Sequence, residues 1–231
     1  LDFVSTCQAL PAKALDLYNL MESSPTQSAL KGACAQTGWS FSTAHLMPAP
    51  YITLAKSFET YLGTLDKKQR HEIRRKLRNA EARHQTGWYT VNEKDALTAE
   101  MDAFIAMMHN DHRKVEFLQN PAMLQYLHDF AKAAFEDKLL RLSFLTFDDH
   151  KAAAFLSLVT QQKLWVYNSA WEPAFASSSP GWVLLAKEIE WAIAQGIREV
   201  DMMRGDEDYK YKFGAKDRYI MHTRCAPQTG N

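Results

Sequence analysis

Residues 139–171 read LLRLSFLTF, DDHK, AAAFLSLVT, QQK, LWVYNSAW. Three runs rich in apolar, aromatic and β-branched residues alternate with two short polar connections. Runs of this length and composition are strands. Connections this short join neighbouring antiparallel strands as hairpins. The segment therefore predicts a three-strand meander.

Downstream, SSSPGWVLLAKEIEWAIAQG (177–196) carries the punctuation of a helix. Ser179 stands at the N-cap position, Pro180 at the first helical position, and Gly196 at the end. Trp182, Leu185, Ile189 and Ala192 fall on one face. IREVDMM (197–203) is the next expected strand. RGDEDYKYKFGA (204–215) is a polar turn holding one short helix, and DRYIMHTRC (217–225) a final strand.

Upstream, Leu15–Met21 is expected as a strand. A helix capped by Ser24, with Pro25 in its first turn, runs to about Gln36 and stops near Gly38. Trp39–Leu54 is strand-like, broken by Pro48 and Pro50. Ser57 opens a helix with a break near Asp66, ended by Gly87. A strand at Trp88–Val91 follows, then helices over Thr98–His112 and from Pro121 to Glu136. LDLYNLMESSPTQSAL and VDMMRGDEDYKYKF form a weak repeat of strand, polar turn and short helix, with Asp16 and Asp201 at similar places. The fold class is α/β, with a mixed, mostly antiparallel sheet flanked by helices.

The 231 residues are 46% hydrophobic and 23% charged, an ordinary globular mixture. Lys plus Arg and Asp plus Glu both number 27, so the formal net charge is zero. Such balance argues against a dedicated duplex-DNA binder, whose affinity needs excess cation. No apolar run approaches the roughly 20 residues of a membrane span. The opening LDFVSTCQAL lacks the features of a signal peptide and has no initiator Met, so a fragment or processed start is expected. Cys7, Cys34 and Cys225 fit no metal spacing and read as free thiols of a reducing, cytoplasmic setting.

Two local features point to chemistry. The helix after the third strand opens on Ser177, Ser178, Ser179, Pro180 and Gly181. Its first free N–H groups and its dipole suit an anion such as a pyrophosphate, and Gly181 permits close approach. The plainer alternative is an ordinary capped helix. The turn Arg204–Gly214 is dense in charged and phenolic groups, either as a solvated turn or as a face toward substrate. Lys67–Arg83 holds eight Lys or Arg against Glu72 and Glu81, either a solvated helix face or a phosphate-contacting one. His109 and His112 lack a third ligand at a telling spacing, and no metal is expected.

VYNSAWEPAFASSSPGWVLL (166–185), followed by EVDMMRGDEDYKYKFGA (199–215), resembles the signature of the CelD-type acetyltransferases of polysaccharide synthesis, within the GNAT superfamily. It is also similar to the Fem-type aminoacyltransferases. SFETYLGTLDKKQRHEIRRKLRNAEA (57–82) resembles the helix opening the second GNAT-like half in both groups. The resemblance implies that residues 1–56 end a first GNAT-like half and that 57–231 form a GNAT-type acyltransferase domain.

It further implies acyl transfer from acetyl-CoA or another acyl-CoA to a small-molecule or glycan amine, by direct attack. No G-x-S-x-G nucleophile motif occurs. Ser178, Ser179, Gly181 and Trp182 are the candidate donor-binding residues, although the usual basic residue of that loop is missing. Asp201 is the candidate proton acceptor, or a carboxylate paired with Arg204. Tyr209 is the candidate acid for the leaving thiolate, or a packing aromatic. Lys210 matches the lysine of the Fem-type Phe-Lys pattern and would stabilise the oxyanion or hold an anionic acceptor; otherwise it is a surface lysine. Arg204 would bind the acceptor or close an ion pair. The thioester oxygen would take a backbone N–H near Asn168–Ala170. Two rivals stand beside this: a Fem-like transferase using aminoacyl-tRNA, and a non-catalytic glycan- or partner-binding module.

Overall fold

The computed structural model describes residues 14–228, and the opening LDFVSTCQAL with Cys7 lies outside them. The chain divides into two compact units. One comprises residues up to Tyr51, Arg204–Tyr211 and the stretch from Ala215 onward. The other comprises Ile52–Met203 and Lys212–Gly214.

The first unit is a three-stranded antiparallel sheet. Its strands are β1 (Leu15–Met21), β2 (Trp39–Pro48) and β9 (Tyr219–Pro227), with β9 between the other two. Helix α1 (Pro25–Thr37) packs on it, burying Leu30, Ala33 and Cys34 with Trp39 and Cys225. Ser24 caps α1 through Thr26 N, and Gly38 closes it in the left-handed region at φ 71°. Both ends are as the sequence predicts. The pairing of β9 with β1 and β2 brings together segments some 200 residues apart, which local patterning does not reveal.

The second unit holds a six-stranded mixed sheet in the order β3-β8-β7-β6-β5-β4. These strands are β3 (Tyr51–Thr53), β4 (Thr86–Thr90), β5 (Leu140–Phe147), β6 (His150–Thr160), β7 (Lys163–Trp171) and β8 (Glu199–Asp201). The meander β5-β6-β7 is antiparallel, as expected; β8 runs parallel to β7. The β5–β6 turn is tighter than DDHK suggests, because Asp148 and Asp149 both take positive φ, 51° and 64°. That two-residue geometry matches strand twist, and Asp tolerates it.

Helices flank this sheet. Helices α4 (Lys94–Met108) and α6 (Pro121–Glu136) cover one face, where Met101, Phe104, Met108, Leu127 and Ala131 bury against Leu142, Phe144, Ala154 and Leu156. Helix α7 (Pro180–Ala194) lies against β5, β6 and β7, beside α2 (Phe58–Thr64) and α3 (Lys67–Arg83). Ser57 and Asp66 cap α2 and α3, so the break near Asp66 is real. A 3-10 turn (His112–Lys114) and short α5 (Val115–Gln119) link α4 to α6.

Three expected boundaries shift. Gly87 does not end α3, which stops at Arg83; it lies inside β4 opposite Thr146. A Cβ there would collide with Thr146 Oγ1, so the glycine serves close strand approach. Helix α4 begins at Lys94 and ends at Met108, after which Asp111 caps the separate 3-10 turn. Strand β8 is only Glu199–Asp201, because Met203 turns the chain at φ 55° and donates its N–H to Asp201 Oδ1 at 2.8 Å.

Candidate active site

The parallel pair β7–β8 defines the site. Lys163, Leu164 and Trp165 pair with Glu199, Val200 and Asp201, and there β8 ends. Strand β7 continues to Trp171. Beyond Trp165, no strand of the described residues lies beside the edge of β7 that faced β8, so the sheet opens from Asp201 onward. Asp201 is 3% exposed at the apex of that opening. Within it β7 carries a bulge: Leu156 pairs with Asn168 but Ser157 with Val166, leaving Tyr167 as the extra residue. Bulges re-aim side chains and recur beside active sites.

The start of α7 is built from the residues that follow β7. Ser179 takes the N-cap position in the left-handed region, φ 52° and ψ 53°, and its hydroxyl does not cap the helix. It accepts instead from Lys76 Nζ of α3, at 3.1 Å. The same ammonium stands 3.9 Å from the centre of the Trp182 ring and 3.8 Å from Glu72 Oε1. Burial pushes Lys76 below the ordinary lysine value, while Glu72 opposes the shift. A cation does not favour the positive end of a helix dipole; here an aromatic face and a carboxylate hold it there.

Ser178 is 4% exposed, and its Oγ lies 2.9 Å from His84 Nε2. His84 Nδ1 lies 2.7 Å from Asp148 Oδ2, and the ring stacks on Phe147 at 4.5 Å. The hydrogen bond from His84 holds the Asp148 carboxyl below its ordinary value. The atoms repeat the order of a nucleophilic triad. With its hydroxyl sealed, however, Ser178 uses them to fix the loop before α7 to α3 and to the β5–β6 turn. Gly181 differs from its neighbours: a Cβ there would meet nothing within 4 Å. The helix start is thus open over Gly181, engaged at Ser178 and Ser179, and walled by Trp182.

Arg204, Tyr209 and Lys210 belong to the first unit. Helix α8 (Asp208–Lys212) begins after the Arg204–Glu207 turn. Lys210 is 3% exposed, not a surface lysine. Its ammonium donates to the carbonyls of Arg204 and Gly205, at 3.0 and 3.1 Å, and lies 2.8 Å from Glu207 Oε2. Arg204 is exposed and Tyr209 half-buried. Tyr211 donates to Asp217 Oδ1 at 2.8 Å; burial and that carboxylate push its hydroxyl up to about 12.

Sequence reasoning missed two residues. Lys76 read as one cation of a basic helix, yet it supplies positive charge where the loop before α7 has none. Lys114 follows His112 and Arg113, both exposed, and reaches β7: its ammonium donates to Asn168 Oδ1 at 2.7 Å and to the Ser169 carbonyl. No local signal distinguishes either lysine, because the contacts span 103 and 54 residues. Among the described residues, no group of three or more His, Cys, Asp or Glu is placed to hold a metal ion. No helix of the described residues is long and apolar enough to cross a membrane.

A six-stranded mixed sheet that opens between parallel strands, with a helix starting just beyond, is the frame of an acyltransferase of the GNAT superfamily. The Acetyltransferase (GNAT) domain family matches residues 67–211, more than half of the chain, and the chain belongs to that family. Solved structures agree on the fold. L-PGS from Bacillus licheniformis superposes with TM-score 0.62 at 11% identity, covering 100% of this chain and 72% of that one. A conserved protein of unknown function from Bacteroides thetaiotaomicron gives 0.62 at 12%, covering 91% and 69%. FemX gives 0.52 at 11%, covering 96% and 74%. No curated protein matches the sequence.

Proposed function

We propose that the protein transfers an acyl group from acyl-CoA to the amine of a small molecule, an amino sugar or polysaccharide precursor of the CelD-type chemistry its sequence resembles. The observation that carries this is the opening of the sheet beyond Trp165 and Asp201. It ends the β7–β8 pairing at Trp165 and Asp201, so that an extended thioester can lie along β7, the strand that leads into α7.

In this reading the open start of α7 takes the donor's pyrophosphate at Gly181, with Lys76 supplying the cation and Trp182 a wall. Ser178 and Ser179 hold the loop that presents it. The amine must be neutral to attack, and Asp201 accepts its proton. The C–N bond forms, the C–S bond breaks, and the thiolate takes a proton. Lys210 holds the Arg204–Gly205 turn of its own unit. A coenzyme A thioester suits a reducing compartment such as the cytoplasm.

Calorimetry with acetyl-CoA tests the donor. Binding is expected, and Gly181→Glu, which puts a carboxylate at the phosphate position, is expected to abolish it. Normal binding by that variant overturns the pyrophosphate assignment. Asp201→Asn is expected to lower turnover about tenfold or more.

A second reading, transfer from aminoacyl-tRNA, is favoured by one observation. Lys68, His71, Arg75 and Arg78 are exposed at helical spacing along α3. Binding of charged tRNA with a steep salt dependence, together with no response to acetyl-CoA, would select it.

A further inference from the structure

We infer that the side-chain amide of Asn168, oriented by Lys114, donates the hydrogen bond to the carbonyl oxygen of the acyl group. This rests on the donor reading above and names a group that reading left to the backbone. Asn168 Oδ1 accepts twice, from Lys114 Nζ at 2.7 Å and from Ser169 N at 2.9 Å. A lysine ammonium and a backbone N–H can only donate. Both contacts therefore fix the amide one way round, with oxygen toward Lys114 and nitrogen away.

The consequence is a preset donor. Among the described residues none accepts from Asn168 Nδ2. Nor is that nitrogen sealed in the interior, as the unpaired hydroxyls of Ser143 and Ser157 are. It belongs to a half-buried residue immediately after the Tyr167 bulge, on the length of β7 beyond its pairing with β8. Ser169 N, one of the backbone donors expected for the thioester oxygen, is already committed to Asn168 Oδ1. Lys114 also donates to the Ser169 carbonyl, so one ammonium braces two successive residues of the bulged strand. Donors held in place before charge develops are worth most to acyl transfer, because nothing reorganises in the transition state.

Asn168→Asp isolates the claim. It keeps an oxygen for Lys114 and Ser169 N and replaces only the donating end. Asn168→Ala removes the group without adding charge. Two measurements read both variants: the affinities for acetyl-CoA and for CoA, which lacks the carbonyl, and the infrared carbonyl stretch of bound [1-13C]acetyl-CoA. The wild type is expected to shift the stretch to lower frequency. Both variants are expected to lose that shift. In Asn168→Ala, acetyl-CoA affinity is expected to fall about tenfold while CoA affinity holds, as for one lost hydrogen bond. Lys114→Met should lose part of the shift, and Lys114→Arg should restore it. A full shift in a folded Asn168→Ala or Asn168→Asp overturns the inference and leaves the donor reading standing. Failure of the wild type itself to bind acetyl-CoA and CoA overturns both.

Discussion

Lys76 Nζ lies 3.1 Å from Ser179 Oγ, bringing a cation from α3 to the N-cap position of α7, 103 residues on. Positive charge at that end is unfavourable by itself, and burial adds to the cost by pushing the ammonium below its ordinary value. A bound phosphate would reverse both effects. Lys76→Met is therefore expected to weaken acetyl-CoA binding by about ten- to a hundredfold, the range of one charge-assisted hydrogen bond. The same variant should flatten the dependence of affinity on salt. Calorimetry at low and high salt measures both, and unchanged affinity would reduce Lys76 to a packing contact.

Most elements were legible because their signals are local. Ser24, Ser57 and Pro121 mark helix starts that the structure reproduces, Asp66 marks the break between α2 and α3, and the polar turns around Asp148 and Gln161 mark the meander. Gly87 misled, since a glycine that ends a helix and one that admits a neighbouring strand look alike in sequence. Gly181 and the serines before it marked the start of α7, but not which of them would be engaged. Lys76 of α3 and His84, the residue just after it, decide that. Lys210 is buried because its ammonium satisfies carbonyls of its own turn, a pattern that charge density alone reads as solvated.

Asp148 gives a prediction for acid. His84 holds its carboxyl below the ordinary value, so the native state binds that proton more weakly than the unfolded chain does. The contribution to stability is present above the ordinary carboxylate range, near pH 4. It is lost as pH falls through the depressed native value. Melting temperature measured from pH 6 downward should fall less steeply in Asp148→Asn than in the wild type, from a lower start at pH 6. Parallel curves for the two proteins would show that the pair with His84 does not couple folding to protonation.

Arg141 and Glu188 supply the sharpest stability prediction. Glu188 is 0% and Arg141 5% exposed, joining β5 to α7 through Nε–Oε2 at 2.5 Å and a second bond at 3.3 Å. Trp88 Nε1 donates to Glu188 Oε1 at 3.0 Å, and the guanidinium lies 3.2 Å from the centre of the Trp191 ring. Both carboxylate oxygens of Glu188 thus accept hydrogen bonds inside the protein. Replacing one partner strands a buried charge, which costs about 3–5 kcal/mol. Replacing both with apolar residues of similar volume removes the desolvation penalty together with the attraction. Arg141→Met and Glu188→Leu singly should each lower stability by about that amount in urea unfolding. The double variant should recover much of the loss, giving a coupling well above the few tenths of a kcal/mol seen for independent sites. If the double loss equals the sum of the singles, α7 is held to the sheet by its apolar face alone, and the ion pair contributes nothing to seating the helix whose start presents Gly181.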